Sequence, residues 1–221
     1  SGAAIHDRCS GHPSGSGTIG SSGSNRDSAR TERERRMHDD RSIDRVELRL
    51  TTLDDDAHVI RNLWPLYQHD VSEFEGMTPN RHGILTDDPD ERSLERFGSR
   101  LDAWWSEPDA LFPYLIRADG ETAGFALVAA RARLPRTIDA DFVMHEFFVV
   151  HAHRGRGVGE RAALAAFAAH PGAWEVVTWP DHARAIAFWR RTIARALGSE
   201  VSETAVDHAW GPRVAFHFAS P

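Results

Sequence analysis

The stretch that decides the fold is Asp141–Val150 (DFVMHEFFVV), continued by His151-Ala152-His153 and then by Arg154-Gly155-Arg156-Gly157-Val158-Gly159. An apolar, β-branched and aromatic run reads as a strand. The glycine-rich turn after it opens a helix-like stretch, Glu160–His170. Glycines let the chain turn tightly, and the free N–H groups of a helix start point at any anion placed there. The arginines add charge that a neutral turn lacks. The order strand, glycine turn, helix therefore predicts a phosphate-binding site built largely from backbone.

Three phosphate-loop patterns compete for the turn. A P-loop ends in Gly-Lys-Ser/Thr, whereas this turn ends in Gly157-Val158-Gly159-Glu160. A dinucleotide fingerprint needs GxGxxG, and Gly155, Gly157 and Gly159 give GxGxG. The third pattern, Arg-x-x-Gly-x-Gly, is filled by Arg154, Gly157 and Gly159. A plain surface turn rich in Gly and Arg is the alternative to all three.

The residues downstream favour the third pattern. Trp174–Trp179 (WEVVTW) reads as a short buried strand, and Pro180-Asp181 as a breaker with a candidate N-cap. Ala183–Leu197 (ARAIAFWRRTIARAL) has Ile186, Trp189, Ile193 and Leu197 at helical spacing. Within it, His182-Ala-Arg-Ala185-Ile-Ala-Phe188-Trp189 stands where one family has Asn-x-x-Ala-x-x-Phe-Tyr. On these residues the chain resembles the GCN5-related N-acetyltransferases (GNAT), over about Arg45 to Phe218 and most specifically from Glu146 to Trp189. The strand ending Glu146-Phe147-Phe148-Val149 and the close Trp210-Gly211-Pro212 look like a bacterial subgroup of uncharacterised members.

The resemblance implies an acyl-CoA-dependent N-acyltransferase that moves an acetyl group from acetyl-CoA to an amine, with a small molecule as the acceptor. It implies a pyrophosphate loop at Arg154, Gly155, Arg156, Gly157, Val158 and Gly159. It implies thioester and pantetheine contacts through the backbone around Phe147, Phe148, Val149 and Val150, on a strand that splays from the next one. His182 replaces the usual Asn as a polar contact to CoA. Trp189 occupies a CoA-side position where the family often has a tyrosine that protonates the leaving thiolate. Indole N–H is no such acid, so Trp189 does not deliver that proton. The rival implication is a catalytically silent acyl-CoA-binding sensor or regulatory module.

Glu146 is the candidate general base. Strict strand alternation would place it on one face with Phe142, Met144 and Phe148, with His145 opposite as a packed histidine. The alternative for Glu146 is a buried carboxylate held by an arginine for structure. Asp70 and Glu73, one turn apart in Tyr67–Phe74 (YQHDVSEF), are candidates to hold the acceptor ammonium, and a solvated helix end is the alternative. Trp104-Trp105 reads as core. The histidines lack ligand spacing, so no metal site is expected.

Composition bounds the rest. The 221 residues are 41% hydrophobic with net charge −7 and one cysteine, Cys9. That excludes an intramolecular disulfide and fits a reducing, cytoplasmic setting. The acidic balance argues against nucleic acid as a partner, and no apolar run approaches the ~20 residues of a membrane helix. Whether the chain pairs as a homodimer is left open. Residues 1–40, with a Ser/Gly-rich stretch and the charge run Arg30–Arg36, cannot bury a core and are expected to be a disordered tail, with Met37 a second candidate for the natural start; 41–221 form the domain.

The expected elements are a strand at Val46–Thr51; a helix at Asp54–Phe74, capped by Asp54 or Asp55, with Val59, Leu63, Leu66 and Val71 apolar and a kink or break at Pro65; a loop at Glu75–Asp90; and a helix at Leu94–Trp105. A hairpin over Tyr114–Arg117 and Thr122–Ala130 turns at Asp119-Gly120. The strand Asp139–Val150 and the later elements follow, closing with Val201–Ala205 and Arg213–Phe218. The order βααβββαβαββ is an α+β fold, a central mixed sheet with flanking helices.

Overall fold

A computed structural model describes residues 42–135, 138–201, 203–208 and 211–220. The expected tail, 1–40, and Trp210 lie outside the described residues. The elements are β1 Val46–Leu50, α1 Ala57–Glu75, α2 Leu94–Ser99, β2 Leu111–Ala118, β3 Glu121–Ala130, β4 Phe142–Val149, α3 Val158–Ala169, β5 Gly172–Thr178, α4 Ala183–Leu197, β6 Glu203–His208 and β7 Gly211–Ser220. Their order is the expected βααβββαβαββ. The second expected helix is α-helical only to Ser99 and tightens into a 3-10 turn over Arg100–Trp105.

The seven strands form one mixed sheet in the order β1-β2-β3-β4-β5-β7-β6. Every pairing is antiparallel except β4 with β5. The β2–β3 turn has Asp119 at φ 49° and Gly120 at φ 85°, the two positive values of a type I′ turn. Asp119 is also a fastener: its carboxylate accepts the backbone N–H of Arg45 at 2.7 Å and of Asp44 at 3.1 Å, pinning the chain as it enters β1.

Helices cover both faces. On one, Phe167 of α3 and Trp189 and Ile193 of α4 pack on Met144, Trp174, Val176 and Phe216. On the other, Ile60, Tyr67 and Val71 of α1 pack on Leu115, Phe125, Leu127 and Phe148. Trp174, Phe125 and Phe167 are essentially inaccessible to water. Burying a side chain of that size stabilises by about 1.5–3 kcal/mol.

Three local expectations are corrected. The helix α1 continues through Pro65, because residues on both sides of the proline are tied to the sheet. Its N-terminal position is Asp56, in a left-handed conformation with no side-chain cap, rather than Asp54 or Asp55. Its buried residues are Ala57, Ile60, Tyr67 and Val71, whereas Leu66 is 52% exposed.

Candidate active site

The β4–β5 ladder is short. Phe142, Val143 and Met144 pair with Trp174, Glu175 and Val176, and the pairing stops there. Beyond Met144 the two strands part, as expected. One edge of β4 is then open, while the other stays on β3. The N–H of Val150 donates to Ala123 O at 2.9 Å. Hydrogen-bonded and non-bonded pairs alternate along an antiparallel ladder, so the N–H groups of Phe147 and Val149 face the opened side. The carbonyl of Val149 follows suit, accepting from Arg154 Nε at 2.6 Å. The backbone N–H of Val150 is therefore committed to β3, a correction to its expected contact.

The glycine turn lies at the end of this edge. His151–His153 form one 3-10 turn, and α3 starts at Val158 with Gly157 as its N-cap at φ 76°. Gly155 is at φ 72°. Only glycine adopts such angles without strain. The first-turn N–H groups of α3 have no partner inside the helix and carry its positive end.

Edge, turn and the start of α4 enclose a cleft of about 1140 Å³, large for a small-molecule site. Phe147, Phe148 and Val149 form its floor. Arg154, Gly155, Gly157 and Gly159 line one end. His182, Arg184, Phe188 and Arg191 of the α4 side, and Tyr67, Asp70, Glu73 and Phe74 of α1, form the walls. Gly159 packs closely: a Cβ there would lie 3.3 Å from the Phe188 ring. Among the expected CoA-side residues, Arg156, Val158, Val150 and Trp189 do not line the cleft. Val158 is fully buried under β4, and Arg156 acts on Asp119, whose carboxyl is held below its usual range first by the Arg45 N–H. Trp189 is 5% exposed and packs on Phe147 and Phe167, so the neighbouring Phe188 presents the aromatic face instead. A helix turns about 100° per residue, and only one of two adjacent aromatics can face the cleft.

His182 stacks on Phe74 with ring centroids 4.0 Å apart. Its Nδ1 is buried and has no protein partner, which suits a polar ligand group. Burial pushes the His182 pKa down, against the opposing charges of Glu73 and Asp181.

The acidic residues divide. Asp70 is not free to take an ammonium: its carboxylate accepts from Arg154 Nη2, and His151 Nε2 lies 3.6 Å away. Glu73 is exposed on the cleft wall. Glu146 is turned by a bulge. Leu127 pairs with Glu146 and Val128 with Met144, leaving His145 as the extra residue. Alternation breaks there, so Phe142 and Met144 serve the α3–α4 face while Glu146 and Phe148 turn to α1. The face expected to hold all four residues is thus split in two. His145 lies beside Glu146, 3.4 Å from its carboxylate, and against the Trp104 ring, instead of packing on the opposite face.

The partner of Glu146 is Tyr67, whose hydroxyl donates to Oε2. Tyr67 is 8% exposed and held among Trp64, Phe125 and Phe148. Burial first, then the charge of Glu146, push its pKa well above the usual phenol range. Glu75 is raised as well, by desolvation and then by Glu146, with Arg213 opposing. The sequence alone assigns Tyr67 no role, although its spacing of seven from Ile60 and four from Val71 marks the buried face.

The GNAT acetyltransferase family model matches residues 66–193. The chain belongs to the GNAT acetyltransferase family. No curated protein matches it significantly. Among solved structures, this GNAT chain is similar to an acetyltransferase from Thermus thermophilus, at 18% identity and TM-score 0.52 over 81% of this chain and 99% of that one. It is similar to the aminoglycoside acetyltransferase AAC(6')-Ib in complex with coenzyme A, at 16% identity and TM-score 0.56 over 79% and 95%. It is also similar to RimL, a ribosomal L7/L12 α-N-protein acetyltransferase in complex with coenzyme A, at 12% identity and TM-score 0.54 over 81% and 97%. At these identities the likeness is one of fold. No helix among the described residues is long and apolar enough to cross a membrane.

Proposed function

We propose that the protein is an acetyl-CoA-dependent N-acetyltransferase acting on a small amine, with Glu146 as the base. The observation that carries the reading is the opened β4 edge running into the α3 N-terminus. Two free N–H groups, of Phe147 and Val149, precede a glycine turn whose helix end suits a pyrophosphate. A thioester laid along that edge gains a hydrogen bond to its carbonyl, and that bond strengthens as the oxygen becomes an oxyanion. His182 and Phe188 of the α4 side would flank the pantetheine. Arg154 serves the site indirectly, by fixing the turn to Val149 and Asp70.

Acetylation then needs the acceptor ammonium to lose a proton before nitrogen attacks the carbonyl carbon. Glu146 is a carboxylate on the same strand, two residues before the splayed Phe148. Its depth favours a small acceptor over a folded protein surface, because its side chain is 19% exposed and lies beneath α1. The solved relatives include enzymes named for aminoglycoside and for protein acceptors, so the fold is compatible with either class.

The test is release of free CoA thiol from acetyl-CoA across a panel of small amines. Amine-dependent thiol release with matching acetylamine formation is expected. Tight CoA binding by calorimetry without thiol release from any amine would reject the enzyme and leave a sensing or regulatory module.

A further inference from the structure

We propose that Tyr67 is a catalytic residue of this reaction: its hydroxyl meets the acceptor nitrogen, and Glu146 receives the proton through it. The inference rests on the N-acetyltransferase reading above. Tyr67 lines the cleft, whereas Glu146 does not. The Tyr67 O–H donates to Glu146 Oε2, so the carboxylate reaches the cleft through the phenol. The ring is packed among Trp64, Phe125 and Phe148, at centroid distances of 5.1, 5.7 and 6.0 Å. Phe148 itself is flanked by Phe147 and Val149, whose N–H groups face the open edge. Tyr67 thus lines the same cleft as the residues of the opened edge.

A phenol that donates one hydrogen bond keeps lone pairs to accept another. The ammonium N–H of the acceptor binds there. Its proton passes to the Tyr67 oxygen as the Tyr67 proton passes to Glu146. The phenol is neutral before and after, and the carboxylate becomes a carboxylic acid. The neutral amine then attacks the thioester carbon. As the C–S bond breaks, its electron pair stays on sulfur, and the second nitrogen proton goes to that sulfur to give the thiol. Glu146 returns its proton to solvent. Burial first, then the charges of Glu146 and Glu75, opposed by Arg213, raise the Tyr67 pKa, which favours moving both protons of the first step together. His145 is the remaining titratable group against Glu146.

The test compares Tyr67→Phe, Glu146→Gln and the double variant, using an amine found by the thiol-release screen. Each single change should lower kcat about 10²-fold while CoA affinity and melting temperature hold. The double variant should be no slower than the slower single one, since both remove the same step. Rescue is a second arm: 3-fluorotyrosine at position 67 keeps the hydroxyl and the packing and should restore turnover. A slow Glu146→Gln beside a wild-type Tyr67→Phe would overturn the relay and leave Glu146 as a direct base. Multiplying effects in the double variant would overturn it too. If Tyr67→Phe loses stability instead, and the fluorinated protein folds but stays slow, the hydroxyl is structural and the proposal fails. A chain that releases no thiol with any amine overturns the underlying reading as well.

Discussion

The guanidinium of Arg154 closes on the carboxylate of Asp70, tying the glycine turn to α1 across one end of the cleft. The same guanidinium holds the Val149 carbonyl at 2.6 Å and lies over the Phe148 ring at 5.6 Å. An arginine that reads as a phosphate ligand is, in the free protein, a strut.

Asp70→Asn should therefore weaken CoA binding and spare acceptor binding. A partly exposed ion pair contributes about 1 kcal/mol or less, so the melting temperature should barely move. CoA affinity should fall by up to about tenfold as the turn loosens. Calorimetry with CoA checks the first part. A raised amine KM with unchanged CoA affinity would restore Asp70 as an acceptor ligand.

Two glycines of the turn should fail for different reasons. Gly157 has open space around it but sits at φ 76°, so Gly157→Ala should cost about 1–2 kcal/mol of stability through backbone strain. Gly159→Val places branched bulk against Phe188 and Val149, on the cleft floor. It should cut CoA affinity by more than tenfold in the same calorimetric titration. Equal CoA affinity in wild type and Gly159→Val would remove the turn from the binding site.

Gly124→Ala tests the close approach of β3 to β4. A Cβ there would stand 1.9 Å from the Phe148 carbonyl oxygen, which is backbone and cannot rotate away. The cost should be about 3 kcal/mol or more, a melting-temperature loss of about 10 °C. Because Phe148 belongs to the cleft floor, any folded fraction should bind CoA poorly.

His170 should make the fold acid-sensitive. Its Nε2 shares a 2.8 Å hydrogen bond with Tyr114 Oη, and burial lowers its pKa below the ordinary 6.5. The unfolded chain then binds more protons, so stability is present above about pH 6.5 and is lost as pH falls towards the folded value. Melting temperatures of wild type and His170→Gln between pH 7 and 5 separate this group from the others. The wild-type curve should fall more steeply, and parallel curves would contradict the assignment.

The order of elements, the turn at Asp119-Gly120 and the strand, glycine turn and helix beside the cleft are legible in the sequence. These are local matters: hydrophobic period, turn chemistry and glycine conformation act over a few residues. Which side chains meet depends on the packing of distant segments. The bulge at His145 comes from the register against β3, and it turns Glu146 from the face alternation would give it towards Tyr67, 79 positions away. Arg154 and Asp70 are 84 apart and meet only because α1 crosses the end of β4. Trp189 and Phe188 exchange roles because the packing of α4 on Phe147 and Phe167 sets the helix rotation. Spacing along the chain carries no record of such pairings, because they are fixed by the fit of distant surfaces and by which polar atoms burial leaves in need of a partner.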